Sequence, residues 1–178
     1  MNDMERLAEE IFSAAEPALL KLFKNEEHFY YCTLVTTGEG HAPLISAWSW
    51  EALRRVASTR PEPQAYAQLI KWSYADSPYY DFFVGEGFSK VAELLKSRPG
   101  IDDLDLSAWE KELDFRLSAM EMAMSRIDSR GVFHINQPRH EIFINVEVMP
   151  PDSSNTFRAM RLNPPQATVS WLAEAAEP

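Results

Sequence analysis

Between residues 3 and 24, apolar side chains fall at Met4, Leu7, Ile11, Ala15, Leu19, Leu22 and Phe23. Steps of three and four place them on one face of a helix, with Glu5, Glu9, Glu10 and Lys21 on the other. Pro17 falls inside this pattern. A proline there removes a hydrogen bond and crowds the preceding turn, which predicts a kink or a break. The period then shortens. From 28 to 36, Phe29, Tyr31, Thr33 and Val35 alternate with Tyr30, Cys32 and Leu34. Both sides are mostly apolar, as in a strand covered on two faces. Gly38-Glu39-Gly40 supplies the positive φ angles of a hairpin loop, and 43–50 is the return strand. Large aromatics on strands usually bury area, so the aromatic residues of 28–50 are expected inside the sheet rather than on a ligand platform.

Residues 51–57 have a helical pattern that Arg60-Pro61-Glu62-Pro63 ends. The segment 66–74 fits either helix or strand, and its mixed composition leans to a strand ending near Tyr74. A loop with a short helical turn is expected over 73–87. Phe88, Val91, Leu94 and Leu95 then mark a helix that stops at Arg98-Pro99-Gly100. The clearest element follows. Ser107 and Glu110 have the spacing of a capping box, and Trp109, Leu113, Leu117, Met120, Met124 and Ile127 form one long stripe ending before Gly131. Two strands are predicted at 132–135 and 141–148, on either side of Asn136-Gln137-Pro138-Arg139-His140. In the second, Ile142, Ile144, Val146 and Val148 make an apolar face, and Phe143, Asn145 and Glu147 a partly wet one. An edge strand over 157–162 and a last helix opened by Pro165 and ending near Ala176 complete the chain. Strands and helices come in blocks. The expected class is α+β, a single domain over 1–178 with a largely antiparallel sheet packed by the long helix and shorter flanking helices.

Length and charge narrow the function more than the fold. A chain of 178 residues can bury a sizeable core. A net charge of -10 argues against nucleic acid as a partner and favours a basic protein, although acidity also serves solubility. Cys32 is the only cysteine, so no intrachain disulfide can form and a reducing compartment is expected. The start, Met-Asn-Asp-Met-Glu-Arg, lacks the basic and apolar regions of a signal peptide. No apolar run approaches the roughly 20 residues of a membrane span. These features predict a cytoplasmic protein with no membrane partner.

Candidate chemistry is sparse. Six glycines form neither a P-loop nor a dinucleotide fingerprint, and no nucleophile-elbow motif occurs. Cys32 could act as a nucleophile with His28 or His41, but a mid-strand cysteine is more often a small buried hydrophobe. His134 and His140 could approach across their turn with Glu141 nearby, yet no firm third ligand follows, so no metal is expected. No catalytic residue and no cofactor are assigned. The acids Asp102, Asp103, Asp105, Glu110, Glu112 and Asp114 gather around the start of the long helix, where negative charge favours the helix dipole. They could equally face a basic partner. The segment 74–86 has the composition of a protein-binding patch: Tyr74, Tyr79 and Tyr80 give rigid amphipathic area, while Asp76, Asp81 and Glu86 set partner choice, with Asp76, Tyr79, Tyr80 and Asp81 the candidate contact residues. The competing reading is that Phe82 and Phe83 plug the core while the tyrosine hydroxyls stay wet.

Three stretches together carry a resemblance: Ala47 to Leu53, Lys71 to Asp76, and Gly131 to Asp152. They resemble a bacterial family defined only as a domain of unknown function, the one numbered four-three-zero-three. Trp72, Phe133 and Arg139 occupy the places of its central Trp and its late Phe–turn–Arg–strand signature. His134 stands where the family pattern has a glycine, so the local turn is expected to differ. The resemblance implies a small α+β protein of the kind encoded near bacterial toxins, and it transfers no catalytic residues. Two expectations follow. The first is a protein-binding module, in one form an immunity protein neutralising a basic toxin. The alternative is a small enzyme with a site near Trp72, Arg139 and His140. The partner and the oligomeric state do not follow from the sequence.

Overall fold

The computed structural model describes residues 2–80 and 87–177. Among them are helices α1 (Asp3–Phe23), α2 (Trp50–Ala57), α3 (Pro63–Ile70), α4 (Ser89–Lys96), α5 (Leu106–Ser129), α6 (Ser153–Leu162) and α7 (Pro165–Glu174). The strands are β1 (Phe29–Thr37), β2 (Leu44–Ser49) and β3 (Phe143–Met149), and the class is α+β. β1 is central. It pairs antiparallel with β2 through the hairpin, and β3 is added in parallel on its other side, giving the order β2-β1-β3.

Both faces of the sheet are covered, as the two-sided apolar pattern of β1 requires. Cys32, Leu34, Ile45, Ala47, Ile144, Val146 and Val148 pack with α1, α4 and α5. Tyr31, Trp48 and Phe143 pack on the opposite face with α2, Ala159 of α6 and Trp171 of α7. An irregularity between Phe29 and Tyr31 changes the alternation. It lets Phe29 join the first cluster while Tyr30 and Tyr31 both join the second. Of the aromatics over 28–50, Phe29, Tyr30, Tyr31 and Trp48 are buried in the sheet, whereas Trp50, the first residue of α2, is half-buried.

α5 behaves as its stripe predicts. Trp109, Leu117 and Met124 are buried, and Gly131 takes the left-handed conformation at φ 77° just past the end. The helix also pins the hairpin turn: Trp109 Nε1 donates to Gly38 O at 3.1 Å, and Arg116 Nη1 to Gly40 O at 2.9 Å. Gly40 sits at φ 63°, and a Cβ there would lie 2.8 Å from Arg116 Cδ, so both backbone and space demand glycine.

Several local expectations are corrected. α1 runs unbroken through Pro17. The cap of α5 is Asp105 rather than Ser107, and it accepts from Ala108 N at 2.8 Å; an equally good capping residue two positions upstream lengthens the helix. The segment 66–74 is no strand. Pro63 opens α3, which ends at Ile70 and leaves Leu69 exposed. The strand expected at 132–135 is instead a 3-10 turn, Val132–His134, after Gly131 that drives Val132 and Phe133 into the core. The expected edge strand at 157–162 lies in α6, which Asp152 caps by accepting from Ser154 N.

α6 and its end also fill the place of a fourth strand. Asn163 accepts from Ile144 N at 2.8 Å and donates to Ile144 O at 2.6 Å. Asn155 does the same for Val148 N and O at 2.8 and 3.2 Å, and Arg158 Nε donates to Val146 O at 2.8 Å. Carboxamide side chains here reproduce the donor–acceptor pair of a peptide.

Candidate functional site

The face of β3 that alternation marks as partly wet is buried. Phe143 is 1%, Asn145 0% and Glu147 5% exposed. Strand pairing sets Thr33 beside Asn145, and Ser46 beyond it on β2, so a polar row crosses the buried sheet from α6, where Asn145 donates to Asn155 O, to the segment of Tyr74. Thr33 Oγ1 donates to Asn145 O at 3.2 Å, and Ser46 Oγ to Tyr74 O at 2.7 Å. Asn145 Oδ1 has no hydrogen-bond partner among the described residues.

Glu147 is the group that stands out chemically. The Tyr31 hydroxyl lies 3.1 and 3.0 Å from its two oxygens and donates to the carboxylate. Burial pushes the Glu147 carboxyl up to about 7, against the hydrogen bonds from Tyr31 and Asn145 and the charge of Arg158, which pull it down. Arg158 is itself buried, with Nη2 donating to Asn155 Oδ1 at 2.6 Å. Above Glu147 opens a cleft of about 230 Å3, walled by Trp72, Tyr74 and Trp171, with Asn155 and Glu177 also in the lining. Trp72 and Trp171 both pack on Phe143, at 6.0 and 4.7 Å between ring centroids.

Trp72 also lines a second cleft of about 280 Å3 with His28, Trp50, Lys71, His140 and Glu141. Lys71 Nζ sits 2.9 Å from Glu174, and 5.0 and 5.6 Å from the ring centroids of Trp72 and Trp50. His28 Nε2 lies 2.8 Å from Glu141. Of the trio Trp72, Arg139 and His140, the structure brings the first and last together and not Arg139. The Arg139 guanidinium, 12% exposed, binds Asp128 at 2.7 Å and donates to the carbonyls of Ile142 and Leu162. It ties α5 to β3 and to the end of α6.

The loop residues Asp76, Tyr79 and Tyr80 divide into two kinds, and Asp81 lies outside the described residues, as do Phe82 and Phe83. Tyr79 is anchored. Its hydroxyl donates to Glu27 at 2.6 Å and accepts from Asn25 and Arg55, and its ring is 5.6 Å from that of Phe29. Burial would raise the Glu27 carboxyl, but hydrogen bonds from Ser49, Tyr79 and Arg55 hold it below its ordinary range. Tyr80, 40% exposed, and Asp76 face solvent. The segment beneath them is fixed: Ser77 donates to Ala47 O, and Trp48 Nε1 to Ser73 O at 2.7 Å.

Cys32 is buried, and burial raises its thiol, which disfavours the thiolate a nucleophile needs. Among the described residues no three His, Cys, Asp or Glu side chains are grouped to hold a metal, and His134 lies 3.7 Å from Asp128. Glu112 belongs to an ion network rather than a free acidic patch. It accepts from Arg98 Nε at 2.6 Å and from Arg116 Nε at 2.9 Å. No helix among the described residues is long and apolar enough to cross a membrane.

Fold and site together define a small α+β protein whose central sheet carries a buried carboxylate beneath an aromatic cleft. The chain belongs to the family described as Domain of unknown function (DUF4303), whose model matches residues 9–164. Trp72, Phe133 and Arg139, on which the resemblance rests, fall inside that span. No curated protein and no solved structure matches the chain. Glu147 is not among the residues that the sequence singles out. The usable signal was an acid on an alternating strand flanked by helices able to cover both faces.

Proposed function

We propose that the protein is a cytoplasmic protein-binding module of bacteria that engages a basic protein partner, in the manner of an immunity protein masking a toxin. The supporting observation is the presentation of Asp76 and Tyr80 on a segment anchored from beneath by Tyr79, Ser77 and Ser73. A surface held this way loses little conformational freedom on binding. The net charge of -10 would speed encounter with a basic surface and make association salt-dependent. Asp81 belongs to the same proposed patch.

The test is capture of a partner from the native host, followed by affinity measurements on variants whose folding is checked. Tyr80→Ala is expected to cost on the order of 2 kcal/mol of binding, the scale of an anchor residue. Asp76→Lys and Asp81→Lys are expected to slow association most at low salt. Tyr79→Ala is expected to lower stability instead, because its ring and hydroxyl are committed to Phe29 and Glu27. Unchanged affinity in folded Tyr80→Ala and Asp76→Lys removes the loop from this reading. The enzyme alternative rests on the cleft that gathers His28, Lys71, Trp72, His140 and Glu141. Turnover of any compound in a metabolite panel, lost in His140→Ala, would favour it.

A further inference from the structure

We infer that the cleft over Glu147 is a binding site for a small organic cation, an alkylammonium or guanidinium group held by the carboxylates of Glu147 and Glu177 among the rings of Trp72, Tyr74 and Trp171. The site goes beyond the partner reading above: of that segment Tyr74 forms a wall, while the candidate contact residues Asp76, Tyr79 and Tyr80 do not line it. Among the described residues its lining contains two acids and three aromatic side chains, and no Lys, Arg or His. Aromatic faces attract cations within about 6 Å, more strongly where water is excluded. A volume of about 230 Å3 lies below the roughly 300 Å3 at which sites for drug-sized ligands begin, so the occupant is the size of one side chain or a short amine.

The protein already uses the same combination next door. Lys71 Nζ is held by the Glu174 carboxylate against the rings of Trp72 and Trp50. In the cleft over Glu147 the walls are comparable, and no described side chain of the lining supplies the cation. The base is built rather than incidental: Tyr31 fixes the carboxylate, and Asn155 is fixed by Val148 and Arg158.

The charged and titratable groups around Glu147 decide the pH dependence. Tyr31 approaches it from β1 as a neutral hydroxyl, and Arg158 contributes positive charge from α6. Glu177 shares the cleft beyond α7, and Glu174 on α7 is engaged by Lys71. Hydrogen bonds from Tyr31 and Asn145 and the charge of Arg158 only partly offset the burial of Glu147. An incoming cation favours the ionised form, so binding releases a proton and weakens as the carboxylate protonates. Affinity is therefore expected to fall about tenfold between pH 8 and pH 6.

Tryptophan fluorescence and indole proton signals would be followed while the intact protein is titrated with n-butylammonium, with methylguanidinium and with a blocked tripeptide carrying a central lysine. Neutral 1-butanol serves as control. The expected result is a saturable change with a cation, absent with butanol, about tenfold weaker at pH 6 and lost in Glu147→Gln. Tighter binding of the free cations assigns the site to a free amine, and tighter binding of the peptide assigns it to a protein side chain. Trp72→Leu, at a half-buried wall position, provides a second variant and is expected to weaken binding at least fivefold. A flat titration with all three probes, or a saturable change retained in folded Glu147→Gln and Trp72→Leu, overturns the assignment.

Discussion

Glu147→Gln is expected to raise stability by about 3 kcal/mol at pH 8 and to change it little near pH 4. The carboxyl titrates at about 7 in the folded protein against 4.5 in the unfolded chain. A raised acid holds its proton in the native state after the unfolded chain has released it. Between these two values, stability falls as pH rises, and the full cost is reached above the native value. A tenfold difference in proton affinity between the two states corresponds to about 1.4 kcal/mol, so the interval between them amounts to about 3 kcal/mol. The amide keeps an acceptor for the Tyr31 hydroxyl and carries no charge. Urea unfolding of both proteins at pH 4, 6 and 8 measures the difference. A loss of stability at pH 8 in the variant would mean that Tyr31 and Arg158 outweigh burial and hold the carboxylate ionised.

Glu112→Ala is expected to cost about 3 kcal/mol or more at neutral pH, with the opposite pH signature. Glu112 is 9% and Arg116 4% exposed, so the pair is withdrawn from water. Burial alone would raise the Glu112 carboxyl, but hydrogen bonds and charge from Arg98 and Arg116 leave it below its ordinary value. Removing one partner of a buried pair strands the other, a loss of about 3–5 kcal/mol in comparable cases. Arg116 would keep the carbonyls of Gly40 and Pro99, at 2.9 and 2.8 Å, and the Trp109 ring at 5.2 Å, but no counter-charge among these. A depressed acid contributes stability that is present above its unfolded value and lost as pH falls below it. The gap between wild type and Glu112→Ala should therefore close on acidification, whereas the Glu147→Gln gain develops as pH rises. Thermal unfolding across pH 3 to 7 reads it directly, and a constant gap would exclude an electrostatic origin.

These two glutamates also show where the sequence was informative and where it was not. The hairpin, α2, α4, the stripe of α5 and α7 are legible because apolar spacing or the turn and cap residues at their ends set them. α6 was not. Its inward positions include Asn155 and Arg158, polar residues whose hydrogen bonds to β3 are satisfied only in the folded state, so its hydrophobic period is broken. The 3-10 turn at Val132–His134 reads as a strand because two apolar residues in a row carry no period. Glu112 was visible as one acid among six near the start of α5. That it faces inward depends on Arg98, which arrives from the end of α4. Alternation puts Glu147 on the correct face of β3 but marks that face as partly wet, because burial of a strand's second face is decided by elements remote in sequence. For the loop, composition identified the tyrosines, but only geometry separates Tyr79, bound to Glu27, from Tyr80, which is open to solvent.

The amide contacts along β3 bear on how copies of this chain meet one another. An open strand edge is a template onto which a further chain can add, and stacked additions lead to fibrils. β3 would offer such an edge, with alternating apolar side chains and β1 already paired on its inner side. Asn163 and Asn155 bind the outer N–H and C=O of Ile144 and Val148, and Arg158 the C=O of Val146, with side chains rather than with backbone, and side chains cannot hand the pattern on to a next molecule. Among the described residues the sheet therefore ends at β3 on this side. That termination depends on α6 staying docked, so release of this helix would expose an edge onto which a further chain could add.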